Sequence, residues 1–297
     1  MADTGQTIGG YKLRGLLHTG RESQVWEVVE LASNRHFAMK ILLPEFCGTK
    51  HERNKLFNDA TIGKALRHEN VVHIVKVCAP NAATPYFIME YFPSGSLRRR
   101  LQSRDPRDKE FLKQYAKKIF RQCATGLAYM NGSGFVHCDV KPDNIVSNAL
   151  GQTKIIDFAI SKRIQKGFLA KLLRKRGAPE GTATYMSPEQ IRNELLDGRS
   201  DVYSMGLVFY EVACGRPPFR GNSIGDLYRK HFVEKPPLPS MHNPDVTDEF
   251  GNFVMKMIEK KPENRFKNFH EVMIELKKVK VFKSVKDDED EQMGGML

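Results

Sequence analysis

The chain has 297 residues, of which 40% are hydrophobic and 28% are charged, a composition typical of a globular protein with a buried core. No apolar run reaches the roughly 18–20 residues of a membrane helix, and the N-terminus lacks the basic start and apolar stretch of a signal peptide. The five cysteines are scattered without a C-x-x-C pair, which argues against a zinc site or a disulfide framework and favours the reducing cytoplasm.

The charge balance is basic, because 47 lysine and arginine residues stand against 35 aspartate and glutamate residues, for a net charge of +12. An acidic stretch at 287–291 reverses the sign near the C-terminus. No basic motif interleaved with aromatic residues is present, so nucleic-acid binding is not favoured. We interpret the charges as a solvated surface, with binding to an acidic protein as the alternative.

The first part of the chain has the alternating apolar pattern of β-strands, interrupted by one helical pattern. The helix is predicted over 50–67, where apolar residues recur near helical spacing. The strands are predicted at Tyr11–Leu17, Val25–Leu31, Arg35–Leu42, Val71–Cys78 and Tyr86–Tyr91. The turn-forming residues 93–95 then end this part of the chain.

Helical patterns dominate beyond this break. The helices are predicted at Lys109–Asn131, Asp201–Cys214, Ile224–Phe232, Asp248–Glu259 and Asn268–Val279. The fold class is therefore α+β, with a small five-stranded lobe that carries one main helix, over 8–92, and a larger, mostly helical lobe, over 93–282. Residues 283–297 are predicted to be an acidic, disordered tail, because they contain too little apolar surface to bury.

The most specific motif is His-Cys-Asp-Val-Lys-Pro-Asp-Asn at 137–144, which is followed by Ile-Ile-Asp-Phe-Ala at 155–159. It places two carboxylates, an ammonium and an amide close together in the sequence, at Asp139, Asp157, Lys141 and Asn144. Phosphoryl transfer needs a group that accepts a hydroxyl proton, a group that neutralises phosphate charge and two groups that hold Mg²⁺. The motif resembles the catalytic loop H-R-D-x-K-x-x-N and the metal-binding turn D-F-G of protein kinases.

This resemblance implies a bilobal protein kinase fold and a role for each group. Asp139 is expected to accept the proton of the substrate hydroxyl, and Lys141 to stabilise the transferring phosphoryl group. Asn144 and Asp157 are the expected Mg²⁺ ligands. The lysine two positions after Asp139 is similar to that of Ser/Thr kinases.

Lys40, at the end of Ala38-Met39-Lys40, resembles the lysine of the V-A-I-K motif that contacts the nucleotide phosphates. Its expected carboxylate partner is Asp59, nine residues before His68, where kinases carry a glutamate. Aspartate is one methylene shorter, and a gap about 1.5 Å wider at an effective dielectric near 20 loses on the order of 1 kcal/mol. This weakens the pair without abolishing it, because a small shift of the helix could restore the contact. Because Gly63 offers no side chain to contact Phe158, we also expect a loosely held helix.

The stretch 18–25 resembles the glycine-rich loop G-x-G-x-x-G-x-V, but only Gly20 matches a glycine of that pattern, so weaker ATP affinity is expected. Residues 89–92 resemble the hinge that contacts adenine. The resemblance implies that ATP is bound by Leu17, His18, Thr19, Gly20, Arg21, Glu22, Ser23, Gln24, Val25, Ala38, Lys40, Met89, Glu90, Phe92 and Val146.

Motifs in the C-terminal half are similar to those of protein kinases rather than small-molecule kinases. Residues 181–189 resemble the substrate-binding loop and A-P-E motif, in which Thr182 bridges the catalytic aspartate and lysine. Residues 201–206 resemble D-x-W-S-x-G, and Arg265 matches the arginine that pairs with Glu189.

Two departures bear on regulation. Cys138 replaces the arginine that in many kinases holds an activation-segment phosphate, and it cannot form such a charge-assisted contact. No serine, threonine or tyrosine occurs from Lys162 through Gly181. We therefore expect activity that is independent of phosphorylation in the activation segment, Asp157 to Glu189. Residues 167–176 are interpreted as a basic amphipathic helix that covers the cleft or recruits an acidic substrate, with a mobile basic loop as the alternative.

The resemblance covers about residues 8–280 and extends to bacterial eukaryotic-like Ser/Thr protein kinases. It implies transfer of the γ-phosphoryl group of ATP, with Mg²⁺, to serine or threonine of a protein substrate, with an acidic substrate as one option. No membrane partner is expected, and the oligomeric state stays open. The alternative is a weak or inactive pseudokinase scaffold that still binds nucleotide, since positions 18, 23, 59, 138 and 159 depart from the kinase pattern.

Overall fold

The computed structural model describes residues 2–165 and 178–285. The chain divides into two compact units. The first comprises Met1–Ser94 and Ile156–Ser161, and the second comprises Gly95–Ile155 and Lys162–Leu297. The predicted basic helix at 167–176 and most of the predicted acidic tail lie outside the described residues.

The first unit contains an antiparallel sheet with the strand order β1-β2-β3-β4-β6-β5. The strands are β1 Thr7–Ile8, β2 Tyr11–Thr19, β3 Ser23–Glu30, β4 His36–Leu42, β5 Ile74–Val77 and β6 Tyr86–Glu90. Five of them confirm the predicted strands, although β5 is shorter than predicted. The two-residue strand β1 was not predicted, because two residues are too few to show an alternating pattern.

One helix, α1, runs from Lys50–Ala65 in the first unit and confirms the helix predicted over 50–67. Leu56 and Ala60 are buried and pack with Ile74, Leu42 and Phe87 of the neighbouring strands. The buried face of α1 also includes Asp59 and Gly63. A charged residue and a glycine in this position indicate that the helix is held by more than apolar packing.

The second unit is mainly helical, as predicted. Its helices are α2 Leu97–Gln102, α3 Pro106–Gly132, α4 Pro188–Ile191, α5 Gly198–Cys214, α6 Ile224–Val233, α7 Pro239–His242, α8 Asp248–Met257 and α9 Phe269–Lys278. Helix α5 is buried over nearly its whole length, so it lies in the middle of the core. The rings of Phe120, Phe209 and Phe250 stack and join α3, α5 and α8.

Short strands hold both ends of the stretch 137–144. Strand β8, Phe135–Val136, precedes it and pairs with β11, Lys162–Arg163. Strand β9, Ile145–Ser147, follows it and pairs with β7, Gly95–Ser96, and with β10, Thr153–Ile155. The loop therefore has a defined path even though it contains little regular structure. Over residues 2–165 and 178–285, no helix combines the length and the apolar character that crossing a membrane requires.

Candidate active site

Asp139 is fixed by hydrogen bonds from three residues of the second unit. Its Oδ1 accepts from the backbone nitrogen of Thr182 at 3.1 Å and from the Thr182 hydroxyl at 2.9 Å. Its Oδ2 lies 2.6 Å from Lys141 Nζ and accepts from Asn144 Nδ2 at 3.1 Å. Both carboxylate oxygens thus have defined partners, and the orientation of the carboxylate is set before any substrate arrives.

Lys141 is held in the same network, because its Nζ donates to the Thr182 hydroxyl at 2.8 Å. Thr182 therefore contacts both Asp139 and Lys141, as the sequence predicts. Thr182 lies 43 residues from Asp139 in the sequence. The loop 137–144 and the loop that contains Thr182 consequently depend on one another for their geometry.

Cys138 adopts a left-handed backbone conformation with φ of 69°, which costs a non-glycine residue on the order of 1–3 kcal/mol. Buried Asp201 supports this conformation, since its carboxylate accepts from the backbone nitrogens of His137 at 2.9 Å and of Cys138 at 3.1 Å. Gln190 Nε2 donates to the Cys138 carbonyl at 2.7 Å. Burial raises the pKa of the Cys138 thiol, so this side chain stays neutral and carries no charge toward an anion.

In the first unit, Lys40 on β4 lies between two carboxylates. Its Nζ donates to Asp59 Oδ2 at 2.6 Å and to Asp157 Oδ1 at 3.1 Å. Burial by itself would lower the pKa of Lys40, but the attraction of Asp157 and Asp59 outweighs it and raises that pKa. Lys40 is therefore protonated. Burial raises the pKa of Asp59, and the contact with Lys40 opposes that effect.

The expected pair of Lys40 and Asp59 is present at 2.6 Å and is not widened, because α1 lies close enough to bring the shorter side chain into contact. Gly63 makes this approach possible. A Cβ at Gly63 would lie 2.5 Å from Ile74 Cδ1 and 3.0 Å from Phe158 Cε2. The shorter acid and the glycine thus compensate for one another, and Phe158 packs against the helix backbone where a side chain was expected.

Contrary to the expected loose attachment, α1 is bonded to the stretch 158–161, and Asn58 makes three of the contacts. Its Nδ2 donates to the carbonyls of Phe158 at 3.2 Å, Ala159 at 3.0 Å and Ser161 at 3.2 Å. Asp59 Oδ1 accepts from the backbone nitrogen of Phe158 at 2.9 Å. No local pattern marks Asn58 in the sequence, because its acceptors lie 100 to 103 residues further along the chain.

The two predicted metal ligands have the donor chemistry of a magnesium site. Asp157 has φ of 69°, and its carboxylate is 36% exposed. Asn144 Nδ2 donates to the Asp139 carbonyl and carboxylate, so its Oδ1 is the atom that would contact a cation. Carboxylate and amide oxygens suit Mg²⁺, which proteins often bind through one or two such groups together with substrate phosphates.

The residues expected at the nucleotide occupy both units. In the first unit, Leu17, His18 and Thr19 end β2, Gly20, Arg21 and Glu22 form the turn, and Ser23, Gln24 and Val25 begin β3. Ala38 and Lys40 lie on β4, Met89 and Glu90 end β6, and Phe92 follows. Val146 lies on β9 in the second unit.

Several of these residues already have hydrogen-bond or ion-pair partners within the first unit. The backbone nitrogen of Gly20 donates to the Ser23 carbonyl at 2.9 Å and closes the turn. Glu22 pairs with Lys55 at 3.1 Å. Gln24 accepts from the indole nitrogen of Trp26 at 3.1 Å. These side chains shape the loop, and its backbone groups are the more suitable contacts for phosphate oxygens.

The predicted pair of Arg265 and Glu189 is confirmed as a buried, bidentate ion pair. The two guanidinium nitrogens lie 2.7 Å and 2.9 Å from the two carboxylate oxygens. Burial would raise the pKa of Glu189, but hydrogen bonds and charge from Arg265 lower it. The pair anchors α4, and with it the end of the loop that contains Thr182.

Comparison with known proteins agrees with this geometry. The protein kinase domain model matches residues 11–276. The chain is 32% identical over 272 residues to serine/threonine-protein kinase PknB of Mycolicibacterium smegmatis, which covers 91% of this chain and 43% of that protein. It is 31% identical to PknB of Mycobacterium tuberculosis, with 91% and 42% covered.

A probable serine/threonine-protein kinase of Streptomyces coelicolor is 30% identical over 271 residues, which cover 90% of this chain and 39% of that protein. The chain therefore spans 39–43% of the length of these relatives. Protein kinases in general use ATP and a divalent metal ion. With the family model matched over most of its length, the chain belongs to the protein kinase domain family, among relatives of the bacterial Ser/Thr type.

Proposed function

We propose that the chain is an ATP-dependent Ser/Thr protein kinase that transfers the γ-phosphoryl group to a hydroxyl of a protein substrate. The observation that carries this proposal is the orientation of Asp139 by Thr182, Lys141 and Asn144. A general base must be positioned within hydrogen-bonding reach of the proton that it removes. Asp139 is held in place for that role by residues that also contact one another.

Each residue has a distinct part in the proposed reaction. ATP and its bound divalent cation would supply the phosphoryl group and the charge neutralisation that the transfer needs. Asp139 would accept the hydroxyl proton as the hydroxyl oxygen bonds to the γ-phosphorus and the bond to the ADP oxygen breaks. Lys141 would contact the phosphoryl oxygens, and Lys40 the phosphates that remain on ADP. Asn144 and Asp157 would hold the cation.

The pseudokinase scaffold is the second candidate, and the departures in the phosphate-binding loop favour it. His18 and Ser23 replace glycines, which limits close approach of the backbone to a phosphate. Against it stand the residues with direct chemical roles, which are all present: Lys40, Asp139, Lys141, Asn144 and Asp157. We therefore favour the active enzyme.

Incubation with labelled ATP and Mg²⁺ tests this choice. We expect incorporation of label into protein, and a loss of at least about a hundredfold in Asp139→Asn and Lys40→Met, because the first removes the proposed base and the second the cation at the phosphates of the leaving ADP. Glu249→Gln and Lys12→Met are controls of the same chemistry at other positions, and they should retain activity. Thermal stabilisation by nucleotide without any incorporation would instead support the scaffold.

We also propose that activity does not require phosphorylation of the activation segment, Asp157 to Glu189. The thiol of Cys138 is buried and neutral, so it cannot bind a phosphate as an arginine does. Phosphatase treatment of the active protein should leave its rate within about twofold, since a surface change without a charged partner has little effect. A large loss of activity, with the phosphorylated residue mapped to this segment, would contradict the proposal.

The preference for an acidic substrate and the cytoplasmic location stay predictions from the sequence. The basic segment that prompted the first of them lies mostly at 166–177, outside the described residues. The reaction proposed for this chain rests on the residues of this chain and not on the activity of its longer relatives.

A further inference from the structure

A cationic side chain of the chain itself fills an acidic pocket next to the catalytic loop. Arg98, on α2, donates from Nη1 to Glu211 Oε1 at 2.8 Å and from Nε to Asp143 Oδ2 at 3.2 Å. Its Nη2 donates to the hydroxyl of Tyr185, and that hydroxyl donates to Glu211 Oε2. We call Asp143, Tyr185 and Glu211 the arginine pocket.

The arginine pocket is built to hold a guanidinium group. Glu211 is buried, with 6% of its side chain exposed, whereas Asp143 is 45% exposed and forms the open side. Two carboxylates and a phenol surround the planar fork of the guanidinium, which can donate several hydrogen bonds in fixed directions. Among the described residues, Arg98 is the cation paired with Glu211, so its removal would leave a buried charge that strongly favours a replacement.

The pocket lies within reach of the proposed phosphorylation centre. Asp143 follows Asp139 by four residues, so their Cα atoms are at most about 14 Å apart. Tyr185 follows Thr182 by three residues, and Thr182 donates to Asp139. An extended peptide covers about 3.3 Å per residue. An arginine within about four residues of a serine bound at Asp139 could therefore reach the pocket.

We propose that Arg98 is a specificity-determining residue, because it occupies the position in which an arginine of a protein substrate would otherwise bind. The inference rests on the proposed kinase activity. In the wild-type chain the guanidinium of Arg98 already occupies the pocket and pairs with both carboxylates, so an arginine near the phosphorylated residue brings no advantage. Removal of Arg98 turns the pocket into a binding site for a substrate arginine.

A purely structural role for Arg98 makes a different prediction. Arg98 also joins α2 to Tyr185 and to α5, so its loss would lower stability in either case. A structural defect would reduce the rates for all peptides alike. A specificity role changes the ratio of the rates for two peptides that differ only in one arginine.

The test compares peptides that contain one serine with neutral neighbours against the same peptides with a single arginine at successive positions on each side. The kcat/KM ratio of arginine to neutral peptide should be within about twofold of one for the wild type. At one position it should rise about tenfold in Arg98→Ala, equivalent to about 1.4 kcal/mol. In the double variant Arg98→Ala/Glu211→Gln, this ratio should return to within about twofold of one.

Arg99→Ala is the matched control, because it removes the same charge from the same helix at an exposed position outside the pocket. Its ratio should equal that of the wild type. If the ratio in Arg98→Ala stays within about twofold of the wild-type ratio at every position, the proposal is wrong.

A binding measurement tests the proposal even when a variant is unstable or the wild type is inactive. The Tm of each variant is measured with N-acetyl-arginine amide and with its lysine analogue at equal concentration. Arginine amide should raise the Tm of Arg98→Ala more than the lysine analogue does, and it should not do so for the double variant. If the two compounds raise the Tm of Arg98→Ala equally, the proposal that the pocket binds arginine is wrong. Failure of the wild type to phosphorylate any peptide would count against the proposed function alone.

Discussion

Lys40 is held by two carboxylates, and only one of them is exposed to solvent to any extent. Asp59 has 2% of its side chain exposed and Asp157 has 36%. Removal of one member of a buried ion pair typically costs about 3–5 kcal/mol, because the remaining charge is left without a partner. At the scale of the residue, Asp59 therefore both orients Lys40 and determines whether its charge is tolerated.

Asp59→Glu should be harmful even though kinases usually carry glutamate in this position. The carboxylate already lies 2.6 Å from Lys40 Nζ, so an additional methylene must be accommodated in a packed site. Overpacking of this kind costs about 1–3 kcal/mol. We expect that loss in the free energy of urea unfolding, together with a raised KM for ATP.

Asp248→Glu is the control for this change, since Asp248 is exposed at the start of α8 and should shift stability by at most about 0.5 kcal/mol. Unaltered stability and KM in Asp59→Glu would show that α1 can move outward without cost. The close approach of the helix would then not be required for the site.

At the scale of the element, α1 is positioned by Asn58, Asp59 and Gly63 together. Asn58 and Asp59 bond the backbone between Phe158 and Ser161, and Gly63 removes the side chain that would keep the helix away from Phe158. The helix and the turn at 157–159 are thus joined within the first unit. A change at one of these positions is expected to displace the turn as well as the helix.

Gly63→Ala tests this arrangement, because two effects of known size oppose each other. Alanine is favoured over glycine within a helix by about 1 kcal/mol. The new Cβ would lie 2.5 Å from Ile74 Cδ1 and 3.0 Å from Phe158, and overpacking costs about 1–3 kcal/mol. We expect a net loss of stability of up to about 2 kcal/mol by urea unfolding, and a raised KM for ATP.

Gly132→Ala provides the matched control at the end of α3. A Cβ there would meet no atom within 4 Å, so the helix preference alone should act and stability should not fall. A gain of stability in Gly63→Ala equal to that in Gly132→Ala would contradict the close packing of Gly63 against Phe158.

At the scale of the whole molecule, we expect acid stability to depend on a histidine buried within the second unit. His231, on α6, has Nδ1 2.9 Å from the Tyr203 hydroxyl and packs against Phe219. Burial, and then the nearby charge of Lys260, lower the pKa of His231 from 6.5 to about 3. Burial in turn lowers the pKa of Lys260 to about 8, so Lys260 is charged throughout the acid range.

The sign of the pH dependence follows from this lowered pKa. Between 6.5 and about 3, the unfolded chain binds a proton at His231 that the folded chain does not bind. The contribution of His231 to the free energy of unfolding is therefore fully present above pH 6.5. It is lost as the pH is lowered from there, by about 1.4 kcal/mol per pH unit for one proton. His231→Gln should reduce the slope of unfolding free energy against pH by that amount.

Urea unfolding at several pH values between these two limits measures the slope. His270→Gln, at an exposed position on α9, is the control and should leave the slope unchanged. An equal slope in His231→Gln and the wild type would mean that other groups account for the acid sensitivity.

Much of this architecture could be predicted because it has a local cause. The alternation along β3 and the apolar spacing in α3 and α8 are properties of neighbouring residues, and these elements begin and end within a few residues of their predicted bounds. The pair of Arg265 and Glu189 was predicted from motifs that resemble those of kinases. Asn58 and the position of Arg98 in its pocket were missed, since their partners are distant in the sequence.

The amino-acid sequence by itself determined the family, the fold class and the identity of the residues proposed for phosphoryl transfer, because residue types and their spacing carry that information. Only the tertiary structure decided how well a shorter acid at 59 reaches Lys40, and which side chain fills the arginine pocket. Both depend on how closely separate elements approach. That distance is set by packing, through the absence of a side chain at Gly63 and the burial of Glu211, and no local pattern encodes it.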